Sequence, residues 1–560
     1  MTWDATYLAD DPDAVTRLGI DVTQGLWSRL AEIPPGTDAL IWTVEGNVQR
    51  RLSYGALLNA SRAAARALSA DHGVAPGDRV MCLSSNCPEL VICYLACLFV
   101  GAVIVPADPA AQPSDLRHLW DLTTPGLCVV NGEGTGSRHI QRAFEGATPP
   151  RLVDLHHLAL SETDVPADAV DNAPFDAPSD WPVVILSTSG TTQRSKGVCL
   201  PRSSLDANSE GLIQRHRLDR HRKLLCVLPL FHANAFGFSF WAGFRAGATM
   251  ILSDGLPLMS LERVIAENEV EIISLVPSMI RLISQRPFVQ ARVPSLHHVV
   301  SAAAPLRSDI ALSFYEKTGI RIHQGYGLSE CTNFAATMPY DLDAATYDDV
   351  MHREAQPSIG PALPEMELDI VDAAGRHLGE REEGEVVIRG PSLMTGYWDN
   401  ELATRETVVD GWLRTGDLGW YRQVAGRKFF FISGRVKEII IKHGENFSPL
   451  SIEWELRALA ESFPFAVAGF ANDFAGEEIG LYVETAGSPA VQKRIRQALE
   501  EIAPKQRPTA VLISSEPIPK TATGKIQRRQ VGQRFSKVSS AILSNLRPVF
   551  LDGVSIESDA

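Results

Sequence analysis

Over roughly its first 340 residues the chain alternates short β-branched, apolar runs with longer stretches of helical apolar spacing. Runs at 79–83, 102–105, 183–186, 249–252, 271–276 and 298–300 are nearly continuous in apolar residues, as strands buried on both faces are. Between them, 54–68, 88–100, 258–267 and 307–317 read as helices. Strand then helix, repeated, predicts parallel sheets covered by helices, because a parallel neighbour is reached only through a crossover. The stretches 52–105 and 180–334 both have this form, so two α/β layers are expected. The longest apolar segment, 90–105, is broken by Gly101. It is shorter than the ~20 residues that span a bilayer. It therefore predicts a buried helix to residue 100, a turn at Gly101, and a buried strand at 102–105 ending at Pro106.

After about Tyr340 the texture changes. Turn residues become dense (Gly360-Pro, Asp372-Ala-Ala-Gly375, Gly379-Glu, Gly384, Gly390-Pro, Gly396), with short strands at 367–371 and 385–389. That spacing predicts hairpins closing a small distorted β-barrel. From Gly434 a smaller α+β unit is expected, with a strand and loop, helices at 450–460 and 490–502, and strands at 466–470 and 511–513. The expected fold class is α/β: a large N-terminal domain, 1–433, of two α/β layers plus the small barrel, and a C-terminal α+β domain, 434–560. The Asp/Ala/Pro-rich stretch 163–178 reads as a surface linker. Gly132-Glu-Gly-Thr-Gly136 reads as a flexible turn with no strand–helix frame around it.

A formal charge of −15 argues against a nucleic-acid partner, which usually needs a basic face. It does not exclude anionic ligands held by local Gly, Lys and Arg loops. The 8 cysteines in 560 residues do not form a disulfide framework by density and predict buried free thiols. Cys93 and Cys97 are four apart, but no further ligand completes a zinc spacing. The pairs His156-His157 and His297-His298 fit no ligand spacing and read as structural. Met1-Thr-Trp-Asp-Ala carries no basic region before an apolar stretch, and Ile556-Glu-Ser-Asp-Ala560 matches no sorting signal. A cytoplasmic location is the expectation.

Ser187-Thr-Ser-Gly-Thr-Thr-Gln-Arg-Ser-Lys-Gly197 follows an apolar strand and is the densest chemical signal. The hydroxyls and backbone N–H groups of Ser187, Thr188, Ser189, Gly190, Thr191 and Thr192 can wrap a polyphosphate, and Lys196 can neutralise its outer charge. The spacing is not that of a Walker A loop.

This loop and the motifs after it, from about residue 52 to 528, resemble the adenylate-forming superfamily of acyl-CoA synthetases, luciferases and peptide-synthetase adenylation domains, acyl-CoA synthetases most closely. Gln193 and Ser195 stand where that family's phosphate loop usually has Gly and Pro. Leu228-Pro-Leu-Phe-His-Ala-Asn-Ala-Phe236 is similar to the segment whose His, here His232, lies beside the acyl pocket. Ser301-Ala302-Ala303-Ala304-Pro305 resembles the strand end lining adenine. In Gln324-Gly325-Tyr326-Gly327-Leu-Ser329-Glu330, the resemblance implies that Tyr326 stacks on adenine, Ser329 meets the α-phosphate and Glu330 holds Mg²⁺. Ser329 replaces a more usual Thr. Gly384-Glu-Val-Val-Ile-Arg-Gly390, with Gly396-Tyr-Trp398, resembles the barrel segment. Gly411-Trp-Leu-Arg-Thr-Gly-Asp417 resembles the ribose motif, with Asp417 accepting both hydroxyls. Ser433-Gly-Arg-Val-Lys-Glu438 resembles the inter-domain hinge, implying that Arg435 contacts ribose and Lys437 is the pivot. His443-Gly-Glu-Asn-Phe-Ser-Pro449 resembles the loop at the coenzyme A channel, with Gly444 and Glu445 there. Pro519-Lys-Thr-Ala-Thr-Gly-Lys525-Ile-Gln-Arg528 resembles the C-terminal catalytic loop, with Lys525 the adenylation lysine.

The resemblance thus implies an ATP- and Mg²⁺-dependent acid–thiol ligase. It would make an acyl-AMP with release of pyrophosphate, then an acyl-CoA thioester with coenzyme A. Lys525, Thr188, Lys196 and His232 would serve catalysis, and the C-terminal domain would be mobile. No acidic residue lies between Leu228 and Phe240 to pair a substrate amine, and a buried ammonium without a partner is costly. The segment Phe231–Trp241 is instead rich in Phe, so the expected substrate is a small-molecule carboxylic acid with no α-amine and an apolar, aromatic or polycyclic acyl group. His232, Phe236, Phe238, Trp241, Val276, Ala302 and Gly327 are the candidate pocket. Transfer of acyl-AMP to a carrier protein or separate partner, and a non-catalytic nucleotide-binding homologue, are the alternatives. Monomer and homodimer stay open.

Overall fold

The computed structural model describes residues 25–158, 174–188, 195–354, 356–460, 462–472, 475–521, 525–535 and 549–552. Two sheets dominate the large lobe. One has eight strands in the order Ala336–Thr337, Arg321–Tyr326, His298–Ser301, Ile272–Leu275, Lys223–Cys226, Thr249–Ser253, Asp38–Val44 and Asn47–Ser53. Its interior pairings are parallel and only its two edge pairings are antiparallel. The other has seven, in the order Gly396–Tyr397, Gly197–Pro201, Pro182–Ser187, Val103–Ala107, Arg79–Leu83, Leu127–Val130 and Leu152–Asp154.

The layers are thus interleaved along the chain, which corrects the expectation of two consecutive blocks. Strands Asp38–Val44 and Asn47–Ser53 join the later block, and strands Pro182–Ser187 and Gly197–Pro201 complete the earlier one. An apolar run reports burial on both faces, but its neighbour is chosen by long-range pairing. A second correction concerns Gly396-Tyr-Trp398. Gly396–Tyr397 pairs with Gly197–Pro201 in the seven-stranded sheet rather than with the barrel.

Helix Pro88–Val100 is buried nearly all round, opens on a proline at its first turn and stops at Gly101, whose φ of 81° only glycine adopts without strain. The following strand, Val103–Ala107, runs through Pro106 instead of ending there. Residues 163–173 of the expected linker lie outside the described residues; in the remainder, Phe175 packs against Gly101 and its N–H donates to the Phe99 carbonyl at 2.9 Å. Gly132-Glu-Gly-Thr-Gly136 does have a strand–helix frame, Leu127–Val130 before it and Thr135–Ala143 after. Its Gly132 carbonyl is tied by the Ser137 hydroxyl.

The antiparallel unit has strands Glu367–Val371, Gly384–Arg389, Trp412–Val424, Val408–Val409 and Arg427–Arg435. Its Phe429, Phe430 and Phe431 belong to the same continuous core as the eight-stranded sheet. The small lobe carries Ile440–Lys442, Glu445–Phe447, Phe465–Asn472, Gly476–Glu484, Ala510–Ser514 and Val549–Asp552 in one sheet and closes two cores of its own. Its central strand, Gly476–Glu484, is absent from the sequence expectation: two glycines and two glutamates dilute the apolar signal at its start. Among the described residues no helix is long and apolar enough to cross a membrane.

Candidate active site

Strand ends from both sheets and one turn of the small lobe meet at a single place. Pro182–Ser187 delivers Ser187 and Thr188. The Thr188 N–H donates to the Lys196 carbonyl at 2.9 Å, and its hydroxyl accepts from the Lys196 N–H at 3.0 Å, which pins both stems of the hydroxyl-rich loop. Ser189, Gly190, Thr191 and Thr192 lie outside the described residues. The Lys196 ammonium sits 4.3 Å over the Tyr397 ring. The Tyr397 hydroxyl donates to Glu330 Oε1 at 2.8 Å. One tyrosine therefore links the loop lysine to the candidate metal carboxylate, and sequence reasoning missed it. No local spacing could have shown it, since its partner lies 67 positions away.

Asp417 and Arg435 face each other across the hairpin of Trp412–Val424 and Arg427–Arg435. Arg435 Nε donates to Asp417 Oδ1 at 2.7 Å, and the Tyr326 hydroxyl donates to Asp417 Oδ2 at 2.7 Å. The Asp417 charge holds the Arg435 pKa above its ordinary value. Beside this group, Ser301 and Gln324 are register partners on adjacent strands. Ser301 Oγ and Gln324 Oε1 are buried with no protein partner. Ala302 is buried, Ala303 holds a left-handed φ of 71°, and Ala304 and Pro305 follow at the rim. A positive φ at a non-glycine residue is strain of the kind that clusters at ligand sites. Gly325 packs under Phe334. Gly327 admits no side chain: a Cβ there would lie 1.7 Å from the Asn333 carbonyl oxygen.

Lys525 comes from the small lobe. Its N–H donates to Thr521 Oγ1 at 3.1 Å, closing a turn whose tip, 522–524, lies outside the described residues. Burial and then the Arg435 charge lower the Lys525 pKa, while Asp417, Glu330 and Glu438 oppose them. Two carboxylates of the large lobe thus bear on this small-lobe lysine through space. Burial brings His232 down to about 4, with Asp108 opposing and Lys525 adding to the fall. His232 is accordingly neutral near pH 7, and the Lys525 charge reaches it.

Phe236, Phe238 and Trp241 are buried in the π-helix Ala235–Ala242. Their side chains meet different neighbours. Phe236 packs on Tyr94, Phe238 on His216 and Phe334, and Trp241 Nε1 donates to Asp206 Oδ1 at 3.2 Å. Asp206 is buried and also held by Arg245 at 3.0 Å, so it is committed to protein partners. Val276 is buried just after strand Ile272–Leu275. Lys437 is exposed in the short turn Val436–Glu438, where the chain crosses into the small lobe. Gly444 and Glu445 lie on an exposed hairpin turn, Glu445 paired with Lys505 at 2.5 Å.

Two side-chain clusters lie apart. Cys82 adds a third thiol to Cys93 and Cys97, 3.9 Å from the Cys93 sulfur. His298, read as structural, joins His216 and His323 in the buried interior. His298 and His323 stack at 4.1 Å and 24°, and His216 Nδ1 lies 3.1 Å from His298 Nε2.

A family model described as AMP-binding enzyme matches residues 27–398. The chain is 29% identical to 4-coumarate–CoA ligase 3 of Oryza sativa subsp. japonica, covering 94% of each chain. It is 29% identical to indoleacetate–CoA ligase of Aromatoleum aromaticum, covering 91% of this chain and 97% of that one. Among solved structures, the ATP-bound chimera of MatB and BclM superposes with a TM-score of 0.80 at 25% identity, covering 92% of this chain and 99% of the other.

Proposed function

The chain belongs to the AMP-binding enzyme family, and from that premise we propose how it acts as an ATP-dependent acid–thiol ligase on an aromatic carboxylic acid. ATP, Mg²⁺ and coenzyme A are its co-substrates and cofactor. The observation that carries the reading is the place of Lys525, a small-lobe lysine whose pKa answers to the Asp417 and Glu330 carboxylates and whose charge lowers that of His232.

The adenosine lies between the Ser301–Pro305 segment and Tyr326, where Ser301 Oγ and Gln324 Oε1 are without protein partners. Asp417, already oriented by Arg435 and Tyr326, takes the ribose hydroxyls. The hydroxyl loop, with Thr188 and Lys196, takes the β- and γ-phosphates, and Ser329 the α-phosphate. Glu330 fits Mg²⁺, since it offers a hard carboxylate oxygen oriented by Tyr397; bound there, the ion would neutralise charge on the departing pyrophosphate.

In the first step a carboxylate oxygen of the acid bonds to the α-phosphorus and the bond to pyrophosphate breaks. Negative charge accumulates on the phosphate oxygens, and Lys525 stabilises it while aligning the two reactants. In the second, the domain 434–560 turns about Lys437, withdraws Lys525 and brings Gly444 and Glu445 beside the pantetheine arm. The thiol sulfur bonds to the acyl carbon as its proton passes to water, and AMP leaves with the anhydride electrons.

The test is pyrophosphate exchange into ATP over a panel of aryl acids, repeated with coenzyme A while thioester is followed by mass. Exchange with at least one aryl acid and a thioester product are expected. No exchange with any acid would overturn the reading, and exchange without thioester would redirect the acyl group to another acceptor.

A further inference from the structure

Three buried thiols meet at one point of the large-lobe core, away from the nucleotide and phosphate groups. Cys82 lies on strand Arg79–Leu83, and Cys93 and Cys97 lie on the α-helix Pro88–Val100. Four residues apart, the two helical cysteines share a face. None of the three is more than 1% exposed. The Cys82 and Cys93 sulfurs are 3.9 Å apart, and all three sulfurs lie within 4.8 Å of one another.

That spacing has a chemical meaning. Metal–sulfur bonds of about 2.3 Å put the sulfurs of a planar three-coordinate site ~4.0 Å apart. The Cys82–Cys93 pair already stands at that separation. Any wider pair, at 4.8 Å or less, needs at most about 0.8 Å of closure, which small side-chain rotations supply. A further polar group stands beside the sulfurs. Tyr94 follows Cys93 and precedes Cys97 by three residues, and its hydroxyl is buried without a partner. After burial, the charges of Cys82, Cys93 and Cys97 bear on that hydroxyl through space and raise its pKa.

Ionisation sets the charge of the ion. Adjoining thiolates repel, so three sulfurs in contact lose a first proton far more readily than a second. Hydrogen bonds from Cys82 and Cys97 draw the Cys93 thiol well down, while contact with Cys93 and then Cys97 pushes Cys82 up. One thiolate flanked by two thiols neutralises a single positive charge, and net charge in an apolar core is costly. Sulfur ligands select soft ions, of which Cu⁺ carries one charge.

We propose that Cys82, Cys93 and Cys97 form a binding site for one Cu⁺ ion, with the Tyr94 hydroxyl donating to the bound thiolate. Binding forms three copper–sulfur bonds and releases one thiol proton to solvent; no electron is transferred. The ion ties strand Arg79–Leu83 to helix Pro88–Val100. The Tyr94 ring packs on Phe236 and Phe240 at 5.6 Å, so the site also stiffens the layer behind the π-helix Ala235–Ala242. Sealed from solvent, the sulfurs are reached only as the fold opens, and loading and loss are slow.

The experiment incubates the intact, anaerobically reduced enzyme with Cu⁺ held by bicinchoninate, whose coloured complex reports the copper withdrawn. The wild-type chain should take up one equivalent, unfold at a higher temperature, and show by X-ray absorption three sulfur neighbours at ~2.3 Å. Cys82→Ser, Cys93→Ser and Cys97→Ser should each weaken retention by more than the roughly 10–100-fold that loss of an outer-shell partner costs. Cys128→Ser changes a buried thiol in a different core cluster and should bind as the wild type does. Alanine replaces serine in any variant that fails to fold, and the sulfur count on the wild type needs no variant. No uptake, fewer than three sulfur neighbours, retention unchanged in the three variants, or Zn²⁺ held in preference to Cu⁺ overturns the inference. None of these readouts depends on turnover, so pyrophosphate exchange by the same preparation tests the ligase reading separately.

Discussion

The two lobes hold themselves together differently. The large lobe buries residues from Leu26 to Phe431 in one extended core that runs through both major sheets and the antiparallel unit, with a second core on the other face of the seven-stranded sheet. The small lobe closes two smaller cores of its own, and polar contacts join it to its neighbour. Arg281 Nη2 donates to the Ala460 carbonyl at 2.8 Å, Arg307 Nη2 to the Arg457 carbonyl at 3.3 Å, and the Ser448 hydroxyl to the Ser433 carbonyl at 2.6 Å. Even its buried arginine, Arg528, is held by Glu453 on its own side and by Glu438 at the crossing turn. Apolar burial is lost when surfaces part, whereas polar contacts can be exchanged for water at little net cost. On the proposed mechanism the binding surfaces belong to the large lobe and the reactive cation to the lobe that turns.

The largest effect expected from perturbing this contrast is at the pivot. Lys437→Pro should slow thioester formation on the order of 10²-fold, as a misplaced reacting group does, and leave adenylation within a few-fold. Stopped-flow measurement of the two half-reactions separates them; equal slowing would place the pivot elsewhere. Next comes the core itself. Phe240→Ala, which strips packing from Tyr94 and Phe244, should lower large-lobe stability by about 3–5 kcal/mol in denaturant unfolding. A comparable loss in the small lobe would contradict separate cores.

Acid should act on the large lobe first. His216, His298 and His323 are held well below 6.5 by burial, with His298, His323, Arg215, Arg222, Arg321 and His297 adding repulsion. Groups depressed in the folded state leave the unfolded chain binding more protons below pH 6.5. Stability is therefore full above that pH and falls beneath it, by about 1.4 kcal/mol per pH unit for each histidine. His298→Leu should reduce the slope between pH 6.5 and 5.5 by up to one proton in unfolding titrations; an unchanged slope would mean that His298 is charged in the fold. The smallest effect belongs to the interface. Arg281→Ala should cost about 1 kcal/mol or less of lobe docking, visible as faster hydrogen exchange around Ala460 with unchanged global unfolding.

Much of this architecture can be read from the chain, because burial and local turns leave local marks. The strand–helix alternation, Gly101 as a helix stop and the order of the ligand motifs are all short-range facts. What pairs with what is not. Strands Asp38–Val44 and Gly396–Tyr397 carry no mark of the sheet they join, so the barrel assignment of Tyr397, and with it the Lys196–Tyr397–Glu330 link, could not be foreseen. Cys82 beside Cys93, and His298 beside His216 and His323, are likewise meetings of distant strands and helices.

On the proposed mechanism a small-lobe lysine acts in one half-reaction and not in the other. Lys525→Ala should reduce pyrophosphate exchange by at least 10²–10³-fold, the usual cost of removing one preorganised transition-state contact. The same variant, given synthetic acyl-AMP and coenzyme A, should still form thioester at close to the wild-type rate. Equal loss of both activities, or exchange that survives, would contradict it.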